Sequence, residues 1–350
     1  MFTRLALATC LVAVVAFLGM SFYISVPVFD EARGNFAPEI ADPLQALTFA
    51  RAPEGLVLVT AHEGDAVSGI NLTDAFGEAD TASFLEFVRD LDARDLAGLN
   101  QPVESFPLSS LQMPLDYHHP HVAAGTNFKE HADEVYSDDP PFLFPKLAHA
   151  GAWNDGVPFT RRLDFEAELC AFPLADVTDA ESLPPFGLVL CNDFTDRWTL
   201  ITQLDLGQPL GLTGFADGKG RAGYLPTGYL VVVPRSPGFY LGVELSLYVN
   251  DQLRQRFTMD EVIMPLDNIV TQALETHATR YQQGQGTVPL LPAPMIPKGT
   301  LILTGTAAGV LFKPLNVWRQ GFYLQPGDVV RTEGTWLGHL ENVIVDEAGR

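Results

Sequence analysis

The chain has 350 residues, 47% of them hydrophobic, enough for one large domain or two modest ones. Its 43 acidic against 21 basic residues give a net charge of −22, a field that repels nucleic acid and anionic lipid surfaces. No basic run is present to neutralise phosphates, which argues against nucleic-acid binding. In chain order, Leu5 to Phe29 comes first and carries no formal charge. At roughly 1.5 Å per helical residue it is long enough to cross a hydrocarbon core of about 30 Å. Arg4 precedes it and Asp30, Glu31 and Arg33 follow, a pattern that keeps the N-terminus in the cytoplasm. Residues 1–31 are therefore expected to be a transmembrane helix that anchors the chain to a membrane, with the remainder on the periplasmic or extracytoplasmic side. The competing reading is a cleaved signal peptide, against which no small-x-small site ends the stretch.

Residues 32–48 read as a Pro-containing tether and residues 49–115 as a small N-terminal domain. In that domain Gly55 to Ala61 and Ala66 to Leu72 read as strands, and Ala82 to Leu96 has helical spacing of apolar residues. Residues 116–350 are rich in strand patterns and hold the chemistry. Leu163 to Phe172 alternates as one strand; Phe186 to Cys191, Tyr229 to Val233, Val243 to Val249, Leu301 to Thr304 and Val329 to Glu333 are further strands. Met264 to Tyr281 reads as a helix and Gly284 to Lys298, rich in Gly and Pro, as a loop. Cys170 and Cys191 could form one disulfide; two unpaired buried thiols are the preferred reading.

On the alternating strand, Glu166 and Glu168 stand two apart, so both carboxylates leave the same face. A third carboxylate, Asp193, follows the apolar strand Gly187 to Cys191, where a free charge would be costly. A solvated strand face is the blander alternative for the two glutamates. Three carboxylates without neighbouring His or Cys suit a hard cation such as Mg²⁺ or Mn²⁺ and argue against zinc. His131 and Glu134 are three apart, neighbours on a helical turn, and a His beside a carboxylate can take a proton from water. Alone, that stretch fits a surface helix of mixed charge better. His118, His119 and His121 crowd upstream without a defined ligand geometry. Lys219 lies between glycines, where it could approach a ligand, and Thr304 to Gly309 offers hydroxyls and backbone amides without the ending of a phosphate loop.

Taken in order, the segments Gly125 to Phe128 with His131 and Glu134, Pro141 to Lys146, Leu163 to Leu169, Cys191 to Arg197, Gly218-Lys219, Arg254-Gln255, Thr304 to Thr306 and Pro326 to Asp328 resemble the fumarylacetoacetate hydrolase family. The resemblance covers roughly residues 117 to 345. It implies an α+β, mostly β fold, a distorted β-barrel or roll preceded by a small N-terminal domain, and a homodimer. It also implies Mg²⁺ or Mn²⁺ on Glu166, Glu168 and Asp193, with His131, Glu134 and Lys219 catalytic and Thr306, Lys146 and Arg197 at the substrate. The implied activity is hydrolysis of a carbon–carbon bond in a 1,3-diketo acid such as an acylpyruvate. Isomerisation, hydration or decarboxylation of an oxo acid is the alternative, and a non-catalytic envelope binding protein is the alternative of another class. Phe128, Ala307 and Trp198 depart from the residues usual in the family and put substrate shape in question more than the metal.

Overall fold

The computed structural model describes residues 2–346 apart from 26–28, 30, 35–37, 92, 93, 95, 97 and 136. Parts of the expected anchor, tether and Ala82 to Leu96 helix therefore lie outside the described residues. Two sheets hold most of the strands. The larger has ten strands, in spatial order Val103–Pro107, Ala66–Asn71, Gly55–Glu63, Ala46–Ala52, Val231–Pro234, Phe186–Asn192, Ala167–Pro173, Thr300–Leu303, His118–Gly125 and Phe142–Lys146. The smaller has five: Gln252–Thr258, Glu244–Val249, Val329–Gly334, Gly338–Val345 and Val157–Pro158.

The centre of the larger sheet is covered on both faces. Ala167–Pro173 and Thr300–Leu303 are buried at every residue and Phe186–Asn192 at all but its first. Strands buried on both sides lose the alternation of a half-exposed strand and become continuous apolar runs, as Leu188 to Leu190 and Leu301 to Leu303 do. Neither sheet closes on itself, so the expected barrel is absent. Both edge strands of the larger sheet contain a proline, Pro107 and Pro145, which has no N–H for a further ladder bond.

Several local expectations also change. The strand expected over Leu163 to Phe172 is broken at Phe165 and Glu166. Leu163–Asp164 pairs with Thr195–Asp196, whereas Ala167–Pro173 pairs with Phe186–Asn192. Glu166 N at the break donates to the Asn192 side-chain oxygen at 3.0 Å, so a side chain replaces the strand partner. The helix expected to reach Tyr281 stops at Glu275, and Arg280–Gln283 pairs with Gly286–Pro289 inside the expected loop. Gly284, at φ 53°, supplies the left-handed position of that two-residue turn. Cys170 and Cys191 form a disulfide, with Cα atoms 5.8 Å apart, against the expected free thiols. The register explains it: Cys170 opposes Val189 and Cys191 opposes Glu168, so the cysteines are diagonal neighbours on adjacent antiparallel strands.

The membrane expectation fails too. The N-terminal stretch is helical over Phe2–Ile24, yet among the described residues no helix is long and apolar enough to cross a membrane. The anchor, the membrane as a partner and the extracytoplasmic placement built on it are withdrawn. The end of this helix instead packs on protein. The Arg319 guanidinium lies 3.8 Å from the centre of the Phe22 ring, Phe17 meets Trp318 at 6.1 Å, and Asn316 Nδ2 donates to the buried Ser25 hydroxyl at 3.2 Å. Buried hydroxyls and a guanidinium are chemistry that hydrocarbon would penalise.

Candidate functional site

Glu166 sits at the strand break, Glu168 on Ala167–Pro173, and Asp193 just beyond the neighbouring strand Phe186–Asn192. Register sets Cys191 opposite Glu168 and Asn192 opposite Ala167, so the three carboxylates converge where the two strands end together. Each offers an oxygen within 4.8 Å of the others, and all three residues are buried.

Cations surround them unevenly. Lys219 Nζ donates to Glu166 Oε2 at 2.7 Å, to Asp193 Oδ2 at 2.9 Å and to the Thr195 hydroxyl at 2.8 Å. Arg197 Nη2 donates to Glu166 Oε1 at 2.6 Å, and its Nε to Asp164 Oδ2 at 2.8 Å. Lys146 Nζ donates to Asp193 Oδ1 at 2.5 Å and to the carbonyls of Lys219 and Tyr224, which uses its three hydrogens. Four carboxylates, those of Asp164, Glu166, Glu168 and Asp193, thus face the three cations Lys146, Lys219 and Arg197. The excess charge falls on Glu168, whose hydrogen-bond donor is the Gly305 amide at 2.7 Å. Burial, then Asp193 and Glu166, push its carboxyl well above the usual range. Burial would also raise Glu166, but Lys219 and Arg197 outweigh it and hold that carboxyl at about 2. An oxygen-only donor set with one buried carboxylate lacking a counter-charge fits a hard divalent cation.

The helix Lys129–Glu134 places His131 Nδ1 3.3 Å from Glu134 Oε2. The other Glu134 oxygen accepts from the Gly309 amide at 3.0 Å and from the Lys313 ammonium. Burial, with Arg197, Lys219 and Lys313 nearby, lowers His131 to about 4, so its ring is neutral near pH 7. Asn127 fixes the start of this segment: its Nδ2 donates to the Met264 and Thr304 carbonyls, and its Oδ1 accepts from Met264 N.

A cavity of about 600 Å³ opens onto this group. His131, Glu166, Arg197, Lys219 and Thr306 line it; Glu134, Glu168, Asp193 and Lys146 stand behind that lining. The Thr306 hydroxyl is engaged, donating to the Ala167 carbonyl at 2.7 Å and accepting from Gln255 Nε2 at 2.9 Å. The expected site residues thus assemble in one place. His118, His119 and His121 do not line the cavity; His119 stacks on His149 at 4.1 Å, and His121 opposes Lys146 on the neighbouring strand.

Sequence reasoning missed four supporting side chains. Asp164 accepts from Arg197 and from the Leu311 and Phe312 amides, and shares the odd-even face of Glu166 and Glu168, a usable signal. Asn192 and Gln255 stand within segments that carry the family resemblance but were given no role there, and Lys313 has no signal, because their partners are distant in sequence.

A family model for the C-terminal domain of fumarylacetoacetate (FAA) hydrolase matches residues 120–345. Solved structures share the fold. The fumarylacetoacetate hydrolase of psychrophilic Exiguobacterium antarcticum is 20% identical at a TM-score of 0.57, over 87% of this chain and 100% of that one. Maleylpyruvate hydrolase of Sphingobium sp. SYK-6, in complex with manganese(II) and pyruvate, is 16% identical at 0.55, over 85% and 99%. The 2-hydroxyhepta-2,4-diene-1,7-dioate isomerase of Mycobacterium marinum is 19% identical at 0.52, over 87% and 99%. Among curated proteins, none matches.

Proposed function

Since this chain belongs to the fumarylacetoacetate hydrolase family of hydrolases and isomerases, we propose that it is a divalent-metal-dependent hydrolase that cleaves a carbon–carbon bond in a 1,3-diketo acid of the acylpyruvate class. One observation carries the reading. A buried carboxylate group with an uncompensated charge at Glu168 adjoins a neutral His131 held by Glu134, and His131 borders the same cavity.

Glu166, Glu168 and Asp193 would hold Mg²⁺ or Mn²⁺, which supplies Lewis-acid polarisation of the oxo-acid oxygens. With Nδ1 turned to Glu134, the other ring nitrogen of His131 is the free base. It takes a proton from water as the water oxygen bonds to the distal carbonyl carbon, and Glu134 steadies the imidazolium that results. The Lys219 ammonium, whose three hydrogens go to Glu166, Asp193 and Thr195, acts through its positive field on the negative charge that develops on that carbonyl oxygen. The carbon–carbon bond then breaks to a carboxylic acid and the enolate of pyruvate, and His131 returns the proton to the enolate carbon. Arg197 borders the cavity and is suited to the substrate carboxylate. Lys146 is fully buried and positions Asp193 instead of touching substrate.

A second reading, isomerisation or decarboxylation, is favoured by one detail: Lys313 shares the carboxylate of Glu134, which weakens its hold on an imidazolium. Purified chain is incubated with Mg²⁺ or Mn²⁺ and a panel of acylpyruvates and oxaloacetate. Pyruvate release that EDTA and Glu168→Ala both abolish is the expected result, and turnover indifferent to both would sink the metal reading. His131→Ala separates the reactions, because hydrolysis collapses while metal binding persists.

A further inference from the structure

The helix Arg197–Gln203 begins at the carboxylate cluster beside the cavity and runs along its wall. Arg197, Leu200, Ile201 and Leu204 follow at intervals of three, one and three, so they share one helical face, and all four line the cavity. From Arg197 to Leu204 the rise is roughly 10 Å at about 1.5 Å per residue. The Phe142, Phe144 and Phe215 rings also line the cavity and touch one another, with centres 5.0 Å apart for Phe142 and Phe215 and 5.2 Å for Phe144 and Phe215. The Lys219 ammonium lies 5.8 Å from the Phe144 ring centre, so the aromatic wall starts at the carboxylate cluster. Gly211, at φ 93°, lets Phe142 stand there, because a Cβ at that position would lie 2.4 Å from its ring.

The lining carries few charged groups. Among the described lining residues the arginine and lysine are Arg197 and Lys219, both committed to the carboxylates of the site. Away from them the charged lining residues are Asp138 and Asp139, both exposed. A second carboxylate on the substrate would leave water for an apolar wall, find no cation and meet two acids.

We propose that the substrate is a monocarboxylic oxo acid with an apolar tail, lodged between the Leu200–Leu204 face and the Phe142–Phe215 wall, and that a tail ending in a carboxylate is rejected. This rests on the oxo-acid reading above and narrows it to one substrate class.

The test measures binding apart from turnover. Isothermal titration of the full chain with Mg²⁺ compares 2-oxo monocarboxylates of rising length with 2-oxo dicarboxylates of equal length. Affinity is expected to rise about fourfold per methylene until the cavity is filled, with each dicarboxylate bound at least tenfold more weakly than its monocarboxylate counterpart. Flat affinity with length, or equal binding of the dicarboxylates, overturns the proposal. Leu204→Arg at its half-buried position should flatten the series and improve dicarboxylate binding, while Leu204→Met should leave the series intact; identical series in both variants also overturn it. Acylpyruvates of the same lengths are assayed for pyruvate in parallel. A length-dependent binding series without cleavage leaves the tail slot standing and removes the hydrolase reading; cleavage without length dependence does the reverse.

Discussion

Glu168 accepts a hydrogen bond from Gly305 and shares its pocket with two further carboxylates, so it sets the electrostatics of the cluster. Replacing it by Gln removes a buried like charge of the kind that destabilises its neighbours. In Glu168→Gln the metal-free melting temperature is expected to hold or rise by a few degrees, while the rise that Mg²⁺ gives the unaltered chain disappears. Differential scanning calorimetry with and without Mg²⁺ reads both, and an undiminished Mg²⁺ effect in the variant would remove Glu168 from the ligand set. Lys146 is the opposite case. Lys146→Met leaves Asp193 Oδ1 and two carbonyls without their donor, although Lys219 still donates to Asp193 Oδ2, and losing one partner of a buried ion pair costs about 3–5 kcal/mol. Urea unfolding should show that loss, and a change below about 1 kcal/mol, the scale of an exposed pair, would show that the pair is not buried in solution. Glu166, Glu168 and Asp193 stood out in the sequence because short spacing joins the two glutamates and an apolar run precedes the aspartate, whereas His131 and Glu134 stood out only through the family resemblance. The roles of Gln255 and Lys313 were not legible, since Gln255, although part of a segment that carries the resemblance, takes its role from Ala167, Thr306 and Ala307, and Lys313 from Glu134 and Val310.

The strands Ala167–Pro173 and Phe186–Asn192 hold the carboxylates in register, and the Cys170–Cys191 disulfide ties them with a sequence separation of 21. A closed loop of that size constrains the unfolded chain by roughly 3 kcal/mol. Cys170→Ala with Cys191→Ala should lower stability by about 2–4 kcal/mol; a reductant should lower the unaltered chain equally and leave the double variant unmoved. Sequence periodicity found these strands but extended the first through Glu166, because a period of two cannot register that the Asn192 side chain, not a strand backbone, meets Glu166 N. A second element-level device joins Gly55–Glu63 to Gly338–Val345. Tyr229 OH lies 2.8 Å from His62 Nε2 and 3.2 Å from His339 Nδ1. Burial, with Arg331 nearby, lowers His62 to about 4 and His339 to about 3, from an ordinary 6.5. The folded state therefore binds fewer protons than the unfolded one between these values. Their contribution is complete above about pH 6.5 and is lost as pH falls toward 3–4. Melting temperature should drop on acidification from pH 7 to 5, and less steeply in His62→Gln; parallel slopes would exclude this network as the cause.

At the level of the molecule, length and composition allowed one large domain or two modest ones, but they cannot say whether strands close on each other. The long apolar run at the N-terminus was legible as a helix; that its end would settle on Asn316, Trp318 and Arg319 was not, because those partners lie almost at the other end of the chain. The same holds for the join between Ala46–Ala52 and Val231–Pro234, where Leu47 opposes Val233 and Thr48 opposes Val232. The stretch matched to the family starts at residue 120, yet the hydrogen-bonded ladder continues past it through the four strands between Ala46 and Pro107. Those strands act as a guard rail. A fragment cut at residue 120 would bare Val231, Val232 and Val233 along one side, a sticky template that invites another chain to add itself. Such a fragment is expected to precipitate or form strand-paired assemblies even with every residue of the carboxylate cluster intact, and light scattering beside the full chain measures this. For anyone trimming the protein for crystals or fusion, the safe cut is dictated by which backbone loses its neighbour, and not by where family recognition begins.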